Sequence, residues 1–294
     1  MPNARLKSYL HLHFIVFIWG FTAILGKLIT IEALPLVWYR MLIALIIIAV
    51  FMVVKKYKIK VPPKTLLMLL IAGVVLALHW ITFFRSIKVS NVSIALAAVS
   101  SGPFFTALLE PLWYTRKIIW YEIVFGFLVV LGLYIIFNVE AQYLEGIVLG
   151  AVSALLASIF SLINGKLIKS ERPSLISFYE MGTGVLLITL YLGFLNGFTP
   201  GFFQLSYNDW FFLFLLGSIC TAYAFIVSVK VMRYISPYTV MLTTSLEPIY
   251  GIVLALLLFG DTERMNALFY LGALIILATV LANGVLKNRR RIKK

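Results

Sequence analysis

Apolar stretches of about 20 residues, separated by connections of only a few residues, run almost without interruption along the whole chain. At about 1.5 Å of rise per residue, about 20 residues in a helix cross a bilayer core of about 30 Å. Ten stretches meet that length: about 9–29, 34–54, 65–85, 92–114, 119–138, 145–167, 174–196, 209–232, 237–259 and 266–286. With 294 residues this leaves no room for a separate soluble domain, and 62% hydrophobic against 12% charged residues excludes a soluble globule. The sequence predicts an all-α integral membrane protein with ten transmembrane helices.

The basic residues then become a record of topology. If the N-terminus is cytoplasmic, Arg5 and Lys7; Lys55, Lys56, Lys58, Lys60 and Lys64; Arg116 and Lys117; Lys166, Lys169 and Arg172; Lys230 and Arg233; and the tail 287–294 all fall inside, 20 of the 25 Lys and Arg. Lys27, Arg85, Lys88 and Arg264 fall outside, as do most acids: Glu32, Glu140, Glu145, Asp209, Asp261 and Glu263. This positive-inside bias places both termini in the cytoplasm and the chain, multi-pass, in a cytoplasmic membrane. It also accounts for the net charge of +14 without nucleic acid as a partner. The apolar run after Arg5 and Lys7 lacks a convincing cleavage site and reads as a retained first helix. One cysteine, Cys220, and three histidines without ligand spacing point to no disulfide, metal or other cofactor.

The two halves resemble each other. Gly26-Lys27-Leu28-Ile29 recurs as Gly165-Lys166-Leu167-Ile168, and Tyr39-Arg40-Met41 as Tyr179-Glu180-Met181. Arg85 to Pro103 parallels Lys230 to Pro248, matching Lys88 with Arg233 and Ser100 with Ser245. The offsets are 139, 140 and 145 residues, in the same order. A unit of five spans crosses in opposite senses in its two copies, so the expected domains are residues 1–139 and 145–286 as inverted five-helix repeats, followed by a basic cytoplasmic tail 287–294. Inverted repeats are the architecture of alternating-access carriers.

Several pieces also resemble a known family: Trp19-Gly20, Arg40, Pro103-Phe104, Leu246-Glu247-Pro248 and Leu256-Leu257-Leu258-Phe259-Gly260-Asp261. Together with ten spans in two repeats, the chain is similar to the EamA type of the drug/metabolite transporter superfamily. The resemblance implies a permease of small molecules, often an exporter of amino acids or related metabolites, acting in the lipid bilayer.

Ionisable groups inside spans cost about 2.5–3.5 kcal/mol each at a helix centre on insertion scales, which makes them candidates for function or buried pairing. Glu247 lies ten residues beyond Pro237, roughly 15 Å deep. It reads either as a site for a proton or a substrate ammonium, or as a structural carboxyl. Pro248 leaves the carbonyl of Thr244 without its helical donor, and Pro103 does the same for Val99, so both are expected helix bends. Ser100, Ser101 and Thr244 beside them are candidate substrate contacts, with close helix packing as the alternative. Arg40, roughly 9 Å below the outer edge, either reaches toward Glu247 or binds a substrate carboxylate, or else snorkels outward. His79 and Trp80 read as a cavity wall or as an interfacial belt. Trp19, Asn164 and Tyr223 divide between substrate contact and helix packing. Glu110 is expected to pair with Arg116 and Lys117; Lys27 and Lys166 are expected to snorkel. There is no phosphate-binding loop and no nucleophile–base pair. A secondary exporter, with proton exchange as a candidate coupling, therefore stands ahead of a membrane enzyme or a passive channel.

Overall fold

The computed structural model describes residues 2–115 and 120–292, all helical or connecting chain with no strand among them. Fourteen α-helices follow one another: α1 Pro2–Leu28, α2 Ala33–Val54, α3 Pro63–Val89, α4 Val92–Val99, α5 Gly102–Tyr114, α6 Trp120–Val139, α7 Leu144–Leu167, α8 Pro173–Phe194, the single turn α9 Pro200–Phe203, α10 Tyr207–Gly217, α11 Ala224–Val231, α12 Pro237–Thr244, α13 Glu247–Phe259 and α14 Ala267–Ile292. Eight helical runs among the described residues are long and apolar enough to cross a membrane; Val124–Val139 and Ala267–Ala282 are shorter apolar helices. The tail residues Lys293 and Lys294, and the loop residues Arg116 and Lys117 expected beside Glu110, lie outside the described residues.

Helix ends follow the local sequence. Proline opens α3, α8 and α12, where its missing N–H has no helical acceptor to satisfy. Asn91 caps α4 by accepting from the backbone N–H of Ile94 at 2.8 Å, and Ser236 caps α12 by accepting from Thr239 N–H at 3.3 Å. Lys56 and Asn196 end α2 and α8 in the left-handed conformation. There Tyr57 N–H bonds to Met52 O and Gly197 N–H to Leu192 O, closing the last turn.

The outer surface is apolar to a degree that only lipid tolerates: Phe194 is 89%, Leu257 77% and Val53 76% exposed. Inside, α3 packs along α7 and α8, α1 along α13 and α11, α2 along α8 and α10, and α4 and α5 against α7. Helix α4 is buried from Val92 to Ala98. A separate small core, including Val129, Ile136, Phe269 and Ile276, joins α6 to α14. There a Cβ on Gly132 would stand 2.8 Å from Gly272 O, and one on Gly272 the same distance from Gly132 O. With no hydrophobic force between helices in lipid, such backbone proximity is what makes the crossing tight.

A second close approach lies at Gly73 of α3. A Cβ there would sit 2.6 Å from Thr183 Cβ and 2.8 Å from Glu180 O of α8. Because both helices are anchored over their full lengths, Gly73→Ala is expected to destabilise the protein by about 1–3 kcal/mol through overpacking. The measurement is unfolding of the purified protein in mixed micelles, and an unchanged midpoint would show that α3 and α8 can separate freely.

Candidate substrate cavity

Each expected bend is present. At Ser100-Ser101 and at Ser245-Leu246 the chain makes a tight turn with ψ between −4° and −17°, and i→i−3 bonds replace i→i−4 ones: Phe104 N–H to Ser101 O at 3.0 Å and Ile249 N–H to Leu246 O at 3.1 Å. Pro103 and Pro248 supply the missing donors that force this geometry. The spans expected at 92–114 and 237–259 are thus each two helices, α4–α5 and α12–α13.

Between these bent spans and α1, α2, α3, α7 and α11 lies a cavity of about 90 Å³. At ≳10–15 Å³ needed to hold one water, it has room for several waters or a small solute. Of the residues singled out from the sequence, it brings together Trp19, Arg40, His79, Trp80, Ser100, Pro103, Thr244, Glu247 and Pro248. Ser101 is buried behind the bend, its hydroxyl donating to Ala98 O at 2.7 Å. Asn164 is fully buried and does not line the cavity, and Tyr223 is 44% exposed on the outside of the bundle. For Tyr223 the reason is the irregular turn described next, which sets its face of the span toward lipid.

Ser218–Tyr223 form one π-helical turn between α10 and α11. An extra residue in a helical turn displaces hydrogen bonds, and two cavity residues use the result. Trp19 Nε1 donates to Cys220 O at 3.0 Å. Arg40 Nε donates to Thr221 Oγ1 at 2.6 Å, and that hydroxyl donates to Leu216 O at 2.6 Å. Arg40 does not snorkel: it is 2% exposed, with its guanidinium carbon 3.9 Å from the centroid of Trp80. Its Nη1 has no hydrogen-bond partner. Glu247 lines the same cavity and acts on Arg40 electrostatically. The ion pairs within 4.0 Å among the described residues are Lys27–Glu263, Arg85–Glu145 and Arg264–Asp261; Arg40 and Glu247 remain apart. The guanidinium and the carboxyl group therefore face one cavity without direct contact.

The remaining walls are largely aromatic and aliphatic, with hydroxyls at Thr22, Ser161, Ser228 and Ser245. Trp80 meets Phe225 edge-on at 5.7 Å, and Phe225 lies 5.8 Å from Phe160. His79 is held by Ser153: its Nδ1 lies 2.9 Å from Ser153 O and 2.8 Å from Ser153 Oγ. Phe160, Phe225, Ser161, Ser228 and Thr221 were not singled out from the sequence. Ser161 and Ser228 carried a usable signal, as hydroxyls within otherwise apolar spans. Thr221 carried none, because its role comes from the π turn.

One end of the bundle is tied by a carboxylate expected in a solvated loop. Glu263 is fully buried. It accepts from Lys27 Nζ at 2.7 Å, Val92 N–H at 3.1 Å, Ser93 N–H at 2.9 Å and Ser93 Oγ at 2.9 Å. Lys27 therefore pairs inward instead of only snorkelling, and α1, α4 and the end of α13 meet at one carboxylate. Nearby, Asp209 accepts from Thr30 N–H at 2.7 Å and Thr30 Oγ1 at 2.8 Å, and Lys88 donates to Ile29 O. At the other end Lys166 lies 4.6 Å from the Trp113 ring centroid.

A polytopic helical bundle with bent spans around a polar, aromatic-walled cavity is a membrane transporter fold. Residues 6–138 and 144–284 each match the EamA-like transporter family, and the chain belongs to that family. It is 24% identical over 196 residues to an uncharacterized transporter, YxxF, of Bacillus subtilis (strain 168); the match covers 65% of this chain and 61% of that protein. A solved crystal structure at 13% identity shares the fold, with a TM-score of 0.70, 96% of this chain and 98% of that chain covered.

Proposed function

We propose that this protein is a secondary carrier of small zwitterionic metabolites, amino acids or their relatives, that works by alternating access and exports them across the cytoplasmic membrane. The observation that carries the reading is one guanidinium and one carboxylate facing a shared, aromatic-walled cavity without pairing. Arg40 receives the substrate carboxylate through its unpartnered Nη1, and Glu247 receives the ammonium. When no ammonium is present Glu247 holds a proton, so substrate and proton exchange at one carboxyl. Trp80, Phe160 and Phe225 take the apolar part of the substrate, while Ser100 and Thr244 border the bends.

The ten-span topology with two inverted repeats, both termini cytoplasmic, is part of this proposal. Packing supports it, because contacts between the halves come in equivalent pairs: α5–α7 with α1–α13, and α3–α8 with α2–α10 and the π turn. α2–α8 and α6–α14 pair equivalent helices with each other. In this orientation the Glu263 cluster faces outside. The cavity lining runs the other way, to Met232 and Val240 at the α11–α12 junction, which supports a state closed outward.

The test is counterflow in proteoliposomes against a metabolite panel. Saturable exchange of a zwitterionic solute is expected; conductance without saturation would sink the carrier reading. In the same vesicles Glu247→Gln is expected to abolish solute movement driven by a pH gradient, and unchanged pH-driven movement would remove the proton from Glu247.

A further inference from the structure

Outside the cavity lies a buried carboxyl that the proposed exchange does not use. Glu180 of α8 is 0% exposed, and neither of its oxygens makes a hydrogen bond of standard geometry. It faces the side chain of Asn164 of α7, also 0% exposed, whose two polar atoms likewise lack bonds of standard geometry. Ser177, one turn before Glu180, is buried with an unpartnered hydroxyl. Ser161, one turn before Asn164, has an unpartnered hydroxyl too and stands in the cavity wall. On helices these spacings of three put each pair on one face, so a row of unsatisfied groups leads from Glu180 through Asn164 to the cavity.

A naked carboxylate in a low-dielectric interior is far too costly to persist, and buried polar groups in folded proteins are otherwise paired. No cation is placed to compensate it. Helix α8 packs against α2, α3 and α11. The charged or titratable groups of these helices are engaged or at the surface. Arg40 is turned to Thr221, Trp80 and the Glu247 cavity, Tyr39 donates to Phe202 O, His79 is held by Ser153, Arg85 by Glu145 and Lys88 by Ile29, while Lys64, Lys230 and, on α7, Lys166 are exposed. Among the described residues no group of three or more His, Cys, Asp or Glu side chains is placed to hold a metal ion. The smallest cation remains.

We infer that Glu180 is a second proton-binding site, held by Asn164 and joined through Ser161 to the substrate cavity. A carboxylic acid here donates its O–H to Asn164 Oδ1 while its carbonyl oxygen accepts from Asn164 Nδ2, so that each group finds a partner in the other. Loss of the proton leaves a carboxylate that water entering along Ser161 must stabilise. Proton release is thereby linked to opening of the cavity. Asn164 is a positioning residue, and Glu180 never competes with substrate, unlike Glu247. This inference rests on the carrier reading of the cavity.

Two measurements on the full-length reconstituted protein test it. Infrared difference spectra across a pH titration, without added solute, are expected to show the carbonyl bands of two neutral buried carboxylic acids; Glu180→Gln should remove one of them and Glu247→Gln the other. Asn164→Ala, which leaves the acid in place, should shift the Glu180 band and its titration midpoint. A Glu180→Gln spectrum with no band lost, or unmoved midpoints in Asn164→Ala, overturns the inference, and the second holds even if Glu180→Gln fails to fold. In vesicles loaded with a pH indicator and given the amino-acid panel, Glu180→Gln is expected to release fewer protons per solute exchanged than wild type. An equal ratio overturns the inference. No solute exchange in wild type would instead defeat the carrier reading, leaving the infrared result to stand or fall by itself.

Discussion

Glu263→Ala is expected to be the most destabilising single substitution in the protein, by about 3–5 kcal/mol, the range for removing one member of a buried ion pair. Lys27 retains partial access to solvent, with 28% of its side chain exposed, which moves the expectation to the lower end. Against that, the carboxylate also satisfies two backbone donors at the start of α4, Val92 and Ser93 N–H, which would be stranded in a buried region. Glu263→Gln separates the two effects. The amide still offers one acceptor to the α4 amides but cannot pair with the Lys27 ammonium, so its loss should be smaller. Equilibrium unfolding in mixed micelles measures both. If Glu263→Ala unfolded with the wild-type midpoint, the three helices would not depend on this carboxylate.

Arg40→Lys is expected to weaken substrate exchange about 10- to 150-fold, the factor that corresponds to losing a charge-assisted hydrogen bond of about 1.5–3 kcal/mol. Charge is conserved by this change, so the effect isolates geometry. A guanidinium can donate from Nε to Thr221, lie flat on Trp80 and still present Nη1 to the cavity. An ammonium is a compact point charge and cannot serve all three. The half-saturation concentration in counterflow is the readout. Wild-type affinity in Arg40→Lys would mean that the guanidinium serves packing alone. Thr221→Val, which removes the acceptor of Nε, should reproduce part of the loss.

The residues that describe the membrane helices and their bends were legible because lipid imposes simple rules. Length, apolarity and proline position are local properties, and they located α2, α3, α7 and α8 within a few residues of their ends, while α1 begins at Pro2, ahead of the span expected from residue 9. Arg40, His79, Trp80, Ser100, Thr244 and Glu247 stood out because polar groups are costly in hydrocarbon, and the structure places all six around one cavity. Three features were not legible. Glu263 sits after Gly260 and Asp261 in what reads as a charged loop, and only its long-range partners reveal burial. The π turn, to which Trp19 and Arg40 hydrogen-bond, contains no residue that demands it by itself. Asn164 and Tyr223 differ from the cavity residues by helix rotation, one turned toward Glu180 and the other toward lipid. Rotation of an apolar helix about its axis is weakly encoded when every face is hydrophobic.

The long reach of the Glu263 contacts sets an order on biogenesis. Lys27 leaves the ribosome 236 residues before its carboxylate, and Thr30 precedes Asp209 by 179. At about 5–20 residues per second, the first helices wait roughly 10–50 s in the membrane before the chain that completes them is made. During that interval the amides that open α4 lack their acceptor and the first half lacks its closing counter-charge. Chains that stop short of α13 should therefore be the ones that quality-control proteases remove, whatever the apolarity of the helices already inserted.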